Sequence, residues 1–397
     1  MHSSNRTERT AERSGRLGRR GFLGLLGSTV LVSACDMPAM AIPGVGPARP
    51  AVVAMMLPGG DGDEGRQTLA RELENAARLA LADLGDSQID LRFYQVGVDP
   101  NRAAAQTAQA INDGAQIILG PLHAQAAQGA GPVAAQAGVN VISFSNNPDV
   151  AGGNVFLLGP LFENTATRLL GYAAAQDRGR VMVVSEQTEA GQVAEQAIQR
   201  AAQRTAASIV ATRSYPFSQQ GITQAIPQIA SSARSSGAQS ILMTAGSEGA
   251  LPLLAESLPQ NNVSPRDFQF MGLTRWDIPA ATLQLPGLQG GWFALPDPGL
   301  TAQFESRYRA AHERRPSPVA GLGYDAVAVV GTLIRRGGRA PFAREALTQS
   351  AGFVGVNGIF RFRPDGTNER ALAVAEIRDQ RVRVLSPAPR SFAAGGS

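Results

Sequence analysis

From residue 51 onward, short apolar runs alternate with longer segments in which apolar residues recur every three or four positions. Runs of the first kind are typical of buried strands, and the second spacing is typical of helices that pack along one face. The predicted strands are 51–57, 89–96, 116–119, 139–143, 180–185, 208–215, 240–244 and 268–273, and the predicted helices include 64–84, 103–113, 125–136, 164–176 and 191–204. Strands that alternate with helices of this length form βαβ units, so we predict an α/β fold of mostly parallel sheets flanked by helices.

The order of elements changes after residue 290. A short apolar stretch at 291–296 is followed by a predicted helix near 302–311 and an apolar helix near 324–335. The sequence Pro-Asp-Gly-Thr at 364–367 is typical of a tight turn, and it separates two strand-like segments. We therefore predict a β-hairpin that pairs 358–363 with 371–378.

The N-terminus has the organisation of an export signal. Positively charged residues run up to Arg19-Arg20, an apolar stretch covers 21–32, and the small residues Ser33-Ala34 follow. The apolar stretch is too short to span a bilayer, which favours a cleaved signal peptide at 1–34 over a membrane helix. The paired arginines resemble a twin-arginine export signal.

The only cysteine of the chain, Cys35, stands directly after these small residues. Residues 31–35 resemble a bacterial lipobox, in which the cysteine becomes the acylated N-terminus of the mature protein. We predict a lipidated Cys35 and a Pro/Gly-rich tether through 35–50, which leaves open whether the inner or the outer membrane holds the lipid. The alternative is a cleaved signal in which a cysteine falls at this position by chance.

Charge and composition exclude several classes of function. The formal net charge is +4, but the six arginines and two glutamates of residues 1–34 account for all of it. The mature chain is therefore near neutral and gives no electrostatic case for nucleic acid. Every basic residue is Arg, so a Schiff-base lysine is excluded.

Histidine and cysteine are too sparse for a metal centre. Beyond the signal, the chain has one cysteine and two distant histidines, His123 and His312. We expect no metal and no cofactor. Neither histidine is accompanied by a GxSxG or SxxK motif, so we predict a binding protein and not an enzyme.

The predicted topology points to the loops in which a ligand would be held. In open α/β sheets the ligand crevice lies outside the carboxyl ends of the strands. Those loops are short, bear glycine or hydroxyl residues and lead into helices; they are 57–60, 120–123, 143–146, 186–191, 245–249 and 274–277. Free backbone N–H groups at a helix start favour an anion such as a carboxylate. The alternative is that glycine and serine simply form the strand-to-helix turns.

Several segments carry a resemblance to a known superfamily. Residues 52–81 (VVAMMLPGGDGDEGRQTLARELENAARLAL), 114–159 and 355–377 resemble type I periplasmic binding proteins of the branched-chain amino-acid receptor kind. Within that superfamily, LGPLHA at 119–124, ISFSNN, VFLLG and MGLTRW at 271–276 are most similar to penicillin-binding-protein activator lipoproteins.

The resemblance implies a two-lobed domain over residues 51–390, in which the chain crosses between the lobes three times. We expect one lobe from about 51–162 and 288–352, and the other from about 163–287 and 353–390. The remaining residues, 391–397, are expected to form a flexible tail.

The resemblance also implies candidate cleft residues. Amino-acid receptors of this kind hold the ammonium and carboxylate with hydroxyl groups in two first-lobe loops. Here one such position falls near Ala124, beside His123, and the other loop is Ser145-Asn146, one residue shorter than in those receptors. Our candidates for contact with a ligand are Pro58, Gly59, His123, Ser145 and Asn146, with Glu186 and Trp276 from the opposite lobe.

Two functional hypotheses follow from the resemblance. The preferred one is a lipid-anchored periplasmic accessory protein that binds and activates a peptidoglycan synthase, a penicillin-binding protein. The alternative is the substrate-binding lipoprotein of an ABC transporter for amino acids or similar small polar solutes. The polarity of the cleft discriminates them, since a receptor presents several convergent polar groups around a ligand-sized cavity.

Overall fold

The structure, a computed structural model, describes residues 49–85 and 88–392. The predicted signal peptide, the lipidation site Cys35, most of the tether and the last residues of the tail lie outside this range. The described residues form two α/β lobes, and the predicted fold class is confirmed.

The first lobe is built on a parallel sheet of five strands in the order β2-β1-β3-β4-β5. Its elements are β1 (Ala51–Leu57), α1 (Glu64–Asp83), β2 (Ile89–Gln95), α2 (Pro100–Asn112), β3 (Ile117–Leu119), α3 (Ala124–Gln136), β4 (Asn140–Ser143), a 3₁₀ turn (Pro148–Val150) and β5 (Val155–Leu157). Strands β1, β3, β4 and β5 are mostly buried apolar runs, as parallel strands covered on both faces require, whereas the edge strand β2 is only half-buried and carries Asp90 and Arg92.

The second lobe repeats this plan and adds two antiparallel strands. Its elements are α4 (Phe162–Ala175), β6 (Arg180–Glu186), α5 (Glu189–Ala202), β7 (Ser208–Tyr215), α6 (Gln219–Ser235), β8 (Ser240–Met243), α7 (Leu251–Gln260), β9 (Gln269–Gly272), two 3₁₀ turns (Ala280–Gln284 and Pro286–Leu288), β10 (Trp292–Leu295), β14 (Ala373–Arg378) and β15 (Arg381–Ser386). The sheet order is β15-β14-β10-β9-β8-β6-β7, in which β14 and β15 are antiparallel to their neighbours.

Between β10 and β14 the chain returns to the first lobe. It forms α8 (Pro298–His312), α9 (Ala320–Arg336), α10 (Arg344–Leu347) and a small antiparallel sheet of β11 (Phe353–Gly355), β12 (Gly358–Phe362) and β13 (Asn368–Arg370). Phe353, Phe360 and Phe362 pack into the same core as β1 and α9. Helix α9 lies close against α1, since a Cβ on Gly323 would be 2.3 Å from the Leu73 carbonyl oxygen.

Two expected boundaries between the lobes differ from the structure. Strand β10 pairs with β9, so the second lobe extends to residue 295 and not 287. Strands β11–β13 belong to the first-lobe core, so the return to the second lobe comes after residue 370 and not at 353. The apolar β10 segment completes the buried sheet of the second lobe, and the phenylalanines of 353–362 fill the core of the first.

The predicted hairpin is also corrected. Strand β12 does turn back at 364–367, but its partner is the short strand β13, with Phe362 opposite Asn368. Strand β14, expected as that partner, lies in the other lobe between β10 and β15. The polypeptide thus passes between the lobes at three places, which we call the first crossover (158–161), the second crossover (296–297) and the third crossover (371–372).

Candidate ligand-binding site between the lobes

A cavity of about 600 Å³ lies at the crossovers, with walls from both lobes. Its volume is within the range typical of small-molecule sites. All three crossovers contribute to the lining, through Pro160 and Leu161, Pro296, and Leu372 with the preceding Arg370. The other lining residues are Asn164, Thr165, Gly246, Ser247, Glu248, Leu273, Thr274, Arg275, Ile278, Ala294, Leu295, Thr301, Phe304, Glu305, Pro316, Ser317, Pro318, Val319, Gly321, Leu322 and Asn357.

The second lobe lines the cavity with the loops that follow β8 and β9. These are two of the loops in which the sequence predicted a ligand site. The Thr274 hydroxyl donates to the Ala245 carbonyl at 3.2 Å, which joins the two loops. Arg275 donates two hydrogen bonds to Asp277, of 2.6 and 2.5 Å, so its charge is already compensated.

The first lobe lines the cavity mainly with apolar side chains. Phe304 of α8 stacks edge-on against Tyr324 of α9, with ring centroids 5.8 Å apart. Leu322 lies in the first turn of α9, Val319 is the residue directly before that helix, and both line the cavity. Thr301 adds a hydroxyl group that donates to Asn357 Oδ1 at 3.2 Å. This wall suits the apolar part of a ligand.

Asn368 fastens the first crossover to both lobes. Its amide nitrogen donates to the carbonyls of Leu157 and Gly159, at 2.8 and 2.7 Å, and its oxygen accepts from Asn164 Nδ2 at 2.6 Å. Asn368 is fully buried, whereas Asn164 is at the start of α4 and lines the cavity. Buried side-chain amides bonded at each end hold this region in one geometry.

A charged pair is buried beside the same crossovers. The Arg370 side chain is 6% exposed and lines the cavity, and the Asp325 side chain is 0% exposed. Arg370 Nη2 donates to the carbonyl of Leu158, and the guanidinium lies 4.9 Å from the centre of the Phe360 ring. Asp325 Oδ1 accepts from the Val356 backbone at 2.7 Å.

The two charges of this pair face each other without a hydrogen bond. Arg370 Nη1 is 4.0 Å from Asp325 Oδ2, and neither Asp325 Oδ2 nor Arg370 Nε has a partner among the described residues. Burial raises the pKa of Asp325 to about 6, with the nearby Arg370 acting in the opposite direction. Burial likewise lowers the pKa of Arg370.

Among the described residues that line the cavity, none is one of the seven cleft candidates predicted from the sequence. Pro58 and Gly59 are buried at the end of β1, where a Cβ on Gly59 would lie 2.6 Å from Gln95 Oε1. His123 is half-buried before α3, and burial together with Arg66 lowers the pKa of its imidazole. These three residues form parts of the strand-to-helix turns of the first lobe and do not line the cavity.

The Ser145-Asn146 loop is also bonded within itself. The buried Ser145 hydroxyl oxygen accepts from the Asn147 backbone at 3.1 Å, whereas Asn146 is exposed. The hydroxyl of Ser143, at the end of β4, donates to the Pro121 carbonyl at 2.9 Å. The loops after β3 and β4 are therefore fastened to one another.

The two candidates from the second lobe differ in exposure. Glu186 is half-buried and accepts from the Thr188 hydroxyl at 3.2 Å. Trp276 is fully buried in the core, with its ring 6.5 Å from that of Phe293. A Cβ on Gly272 would be 2.2 Å from the Trp276 indole, so this glycine makes room for the ring. Trp276 is a packing residue in the described geometry.

Residues that sequence reasoning missed belong mostly to the crossovers. Asn164, Asn368 and Arg370 stand among other polar residues, in the sequences ENT at 163–165 and NER at 368–370, and no short motif distinguishes them. The one available signal in the sequence was that the chain was expected to cross between the lobes three times, which brings backbone from distant positions together at one place.

Among the described residues no group of three His, Cys, Asp or Glu side chains is suited to hold a metal ion. In the same part of the chain, no helix is both long and apolar enough to cross a membrane.

The two-lobed fold with a cavity between the lobes is that of a binding protein. The periplasmic binding protein family matches residues 63–381, so this chain belongs to that family. Membership of this family implies a periplasmic location. No curated protein matches the chain in sequence.

Several solved structures share the fold. The chain is similar to a candidate branched-chain amino acid ABC transporter from Rhodospirillum rubrum, with a TM-score of 0.72 and 20% identity over 84% of this chain and 99% of that one. It is also similar to an ABC transporter substrate-binding protein from Desulfitobacterium hafniense in complex with Leu, with a TM-score of 0.62 and 18% identity over 84% of this chain and 99% of that one. A third similar structure is a solute-binding protein from R. palustris in complex with benzoate, with a TM-score of 0.56 and 16% identity over 87% of this chain and 98% of that one.

Proposed function

We propose that this protein is the solute-binding component of an ABC transporter and that it takes a small carboxylate with an apolar body. The observation that carries the proposal is the cavity of about 600 Å³ at the crossovers, which combines an apolar wall with a few charged and hydroxyl groups. Such a lining is typical of small-molecule sites. The sequence alone favoured an activator of a peptidoglycan synthase, and the order of the two hypotheses is now reversed.

The ligands of two similar structures support this choice of solute. Leucine and benzoate are both compact carboxylates with an apolar portion, and each would fit within the cavity. Three crossovers beside the cavity suit a hinge, about which the two lobes close over a bound solute. A lipidated Cys35 and its tether would keep such a receptor at the membrane, within reach of its transporter.

The test is calorimetric titration of the purified protein with leucine and with benzoate. Leucinol and benzyl alcohol, which lack the carboxylate, serve as controls. The proposal expects saturable binding with one site per chain for at least one of the two carboxylates and weaker binding of the alcohols. A folded protein that binds neither carboxylate would overturn the proposal.

Activation of a penicillin-binding protein stays as a second candidate. The supporting observations are the four segments similar to activator lipoproteins and the first-lobe loops, where Ser143 and Ser145 already have partners. Addition of the protein to a bifunctional synthase from the same organism tests it, with glycan polymerisation and cross-linking as readouts. Saturable stimulation together with direct binding supports this candidate, whereas no binding and no change in rate refute it for that synthase.

A further inference from the structure

We propose that Arg370 is the residue that binds the carboxylate of the ligand, and that the ligand is a carboxylate whose remaining body is uncharged and apolar. This inference rests on the proposed receptor function and specifies its site. Arg370 ends β13 beside the third crossover, and its side chain is both buried and part of the cavity wall.

The first argument is that the Arg370 guanidinium has unused donors. A guanidinium carries five N–H groups in a planar fork. In the described structure one of them donates to the Leu158 carbonyl, and Nε has no partner. A buried cation with unpaired donors is costly unless another group supplies the missing acceptors.

The second argument is that Asp325 does not supply all the hydrogen-bond acceptors that the Arg370 guanidinium lacks. At 4.0 Å, the contact between Arg370 Nη1 and Asp325 Oδ2 is an electrostatic one and exceeds hydrogen-bond distance. Asp325 lowers the cost of burying the guanidinium but leaves N–H groups of Arg370 free. A ligand carboxylate would accept from two of them at once, in the bidentate geometry that arginine favours.

The third argument is the contrast with the other charged residues of the cavity. Arg275 already donates twice to Asp277 and is 32% exposed at its side chain. Glu248 is exposed, and Glu305 is half-buried and 3.7 Å from Arg315. Ion pairs at exposed positions contribute little, so the ammonium group of an amino acid would gain little there. A carboxylate without an ammonium group therefore fits this cavity better.

The experiment compares the affinities of benzoate and benzamide, which differ in charge but hardly in shape. The variants are Arg370→Gln and, as a matched control, Arg168→Gln. Arg168 also donates to the third crossover, at 2.7 Å to the Leu372 carbonyl, but it does not line the cavity. A double variant, Arg370→Gln with Asp325→Asn, removes both buried charges and guards against misfolding from an unpaired aspartate.

We expect the wild type and Arg168→Gln to bind benzoate much more tightly than benzamide. Arg370→Gln and the double variant should bind benzoate roughly 10- to 100-fold more weakly, with most of the preference over benzamide lost. Wild-type affinity for benzoate should exceed that for leucine.

Each contrary result has its own meaning. A folded double variant that binds benzoate as the wild type does overturns the role of Arg370 and leaves the receptor function intact. A wild type that binds leucine but not benzoate overturns the proposed ligand class alone. A wild type that binds neither overturns the receptor function, and this inference with it.

Discussion

The loops at the strand ends of the first lobe and the crossovers between the lobes use polar residues in different ways. In the loops, polar groups bond to their own or adjacent turns, as Ser145 does with Asn147 and Ser143 with Pro121. At the crossovers, Asn368 and Arg370 bond to backbone about 200 positions away along the chain. Local bonds shape a turn, whereas these long-range bonds hold the segment before the third crossover against the first crossover, beside the cavity. The difference teaches that polar residues at predicted loop positions are poor guides to the site when their bonds are local.

The largest expected effect on stability comes from Asn368→Ala. Loss of this side chain leaves the buried Leu157 and Gly159 carbonyls and the Asn164 amide without their partner. We expect the free energy of unfolding to fall by about 3–4 kcal/mol, measured by chemical denaturation. The control is Asn147→Ala in the first-lobe loop, where a single local bond to the Asp149 backbone is lost and the cost should be about 1 kcal/mol. Equal losses for the two variants would contradict the comparison.

The second prediction concerns pH. Because the pKa of Asp325 in the folded protein is raised to about 6, the native state holds its proton more tightly than the unfolded chain does. Its contribution to stability is therefore complete below about pH 4 and is lost as pH rises through about 6. Relative to Asp325→Asn, the wild type should lose on the order of 3 kcal/mol of unfolding free energy between pH 4 and pH 7. Denaturation curves at four pH values measure this, and a constant difference between the two proteins would refute it.

The third prediction, for Gly159→Ala, tests the contact between the first crossover and the first-lobe loop that follows β4. A Cβ at this position would lie 2.4 Å from the Ser145 carbonyl oxygen and 2.5 Å from that of Phe144. The first crossover and the first-lobe loop would have to separate, at an expected cost of about 2–3 kcal/mol in unfolding free energy. Gly171→Ala in α4 is the matched control, since its Cβ would meet nothing closer than 3.9 Å and helix propensity predicts a gain of about 0.5–1 kcal/mol. A Gly159→Ala protein as stable as this control would show that the contact is looser than described.

The smallest effect is expected for Ser145→Ala. Its hydroxyl oxygen accepts one local hydrogen bond, so the loss of stability should be about 1 kcal/mol or less. Affinity for benzoate should stay within roughly twofold of the wild type, since Ser145 does not line the cavity. A loss of tenfold or more would place the ligand at the strand-end loops of the first lobe, as the sequence predicted.

Local patterns predicted the elements well, because apolar periodicity reflects burial within each lobe. The eight strands predicted between residues 51 and 273 all form, and Asp63 caps α1 with a 2.7 Å bond to the Arg66 backbone. The hairpin partner of β12 was wrong because turn chemistry at 364–367 fixes the reversal but not the sheet that the next long strand joins.

The cavity was predicted only in part: two of the expected strand-end loops, 245–249 and 274–277, line it, but its buried polar residues were not identified from the sequence. The family resemblance implied that Trp276 contacts a ligand, yet Gly272 makes room for its ring in the core. No feature of the sequence pointed to Arg370, because its environment depends on Leu158 and Asp325, which are distant in the chain. A buried residue that acts through such neighbours has no sequence signature, so only the three-dimensional structure identifies it.

The central claim is that the cavity at the crossovers holds the ligand, and Gly246→Phe tests it most directly. Gly246 lines the cavity, and a Cβ there meets no atom within 4 Å, so a phenyl ring would occupy the space without straining the fold. The control is Val354→Phe, at a position that is 70% exposed and outside this cavity. Calorimetry with benzoate should show binding to the wild type and to Val354→Phe and none to Gly246→Phe, with similar melting temperatures. A folded Gly246→Phe protein that binds benzoate with wild-type affinity would contradict the account.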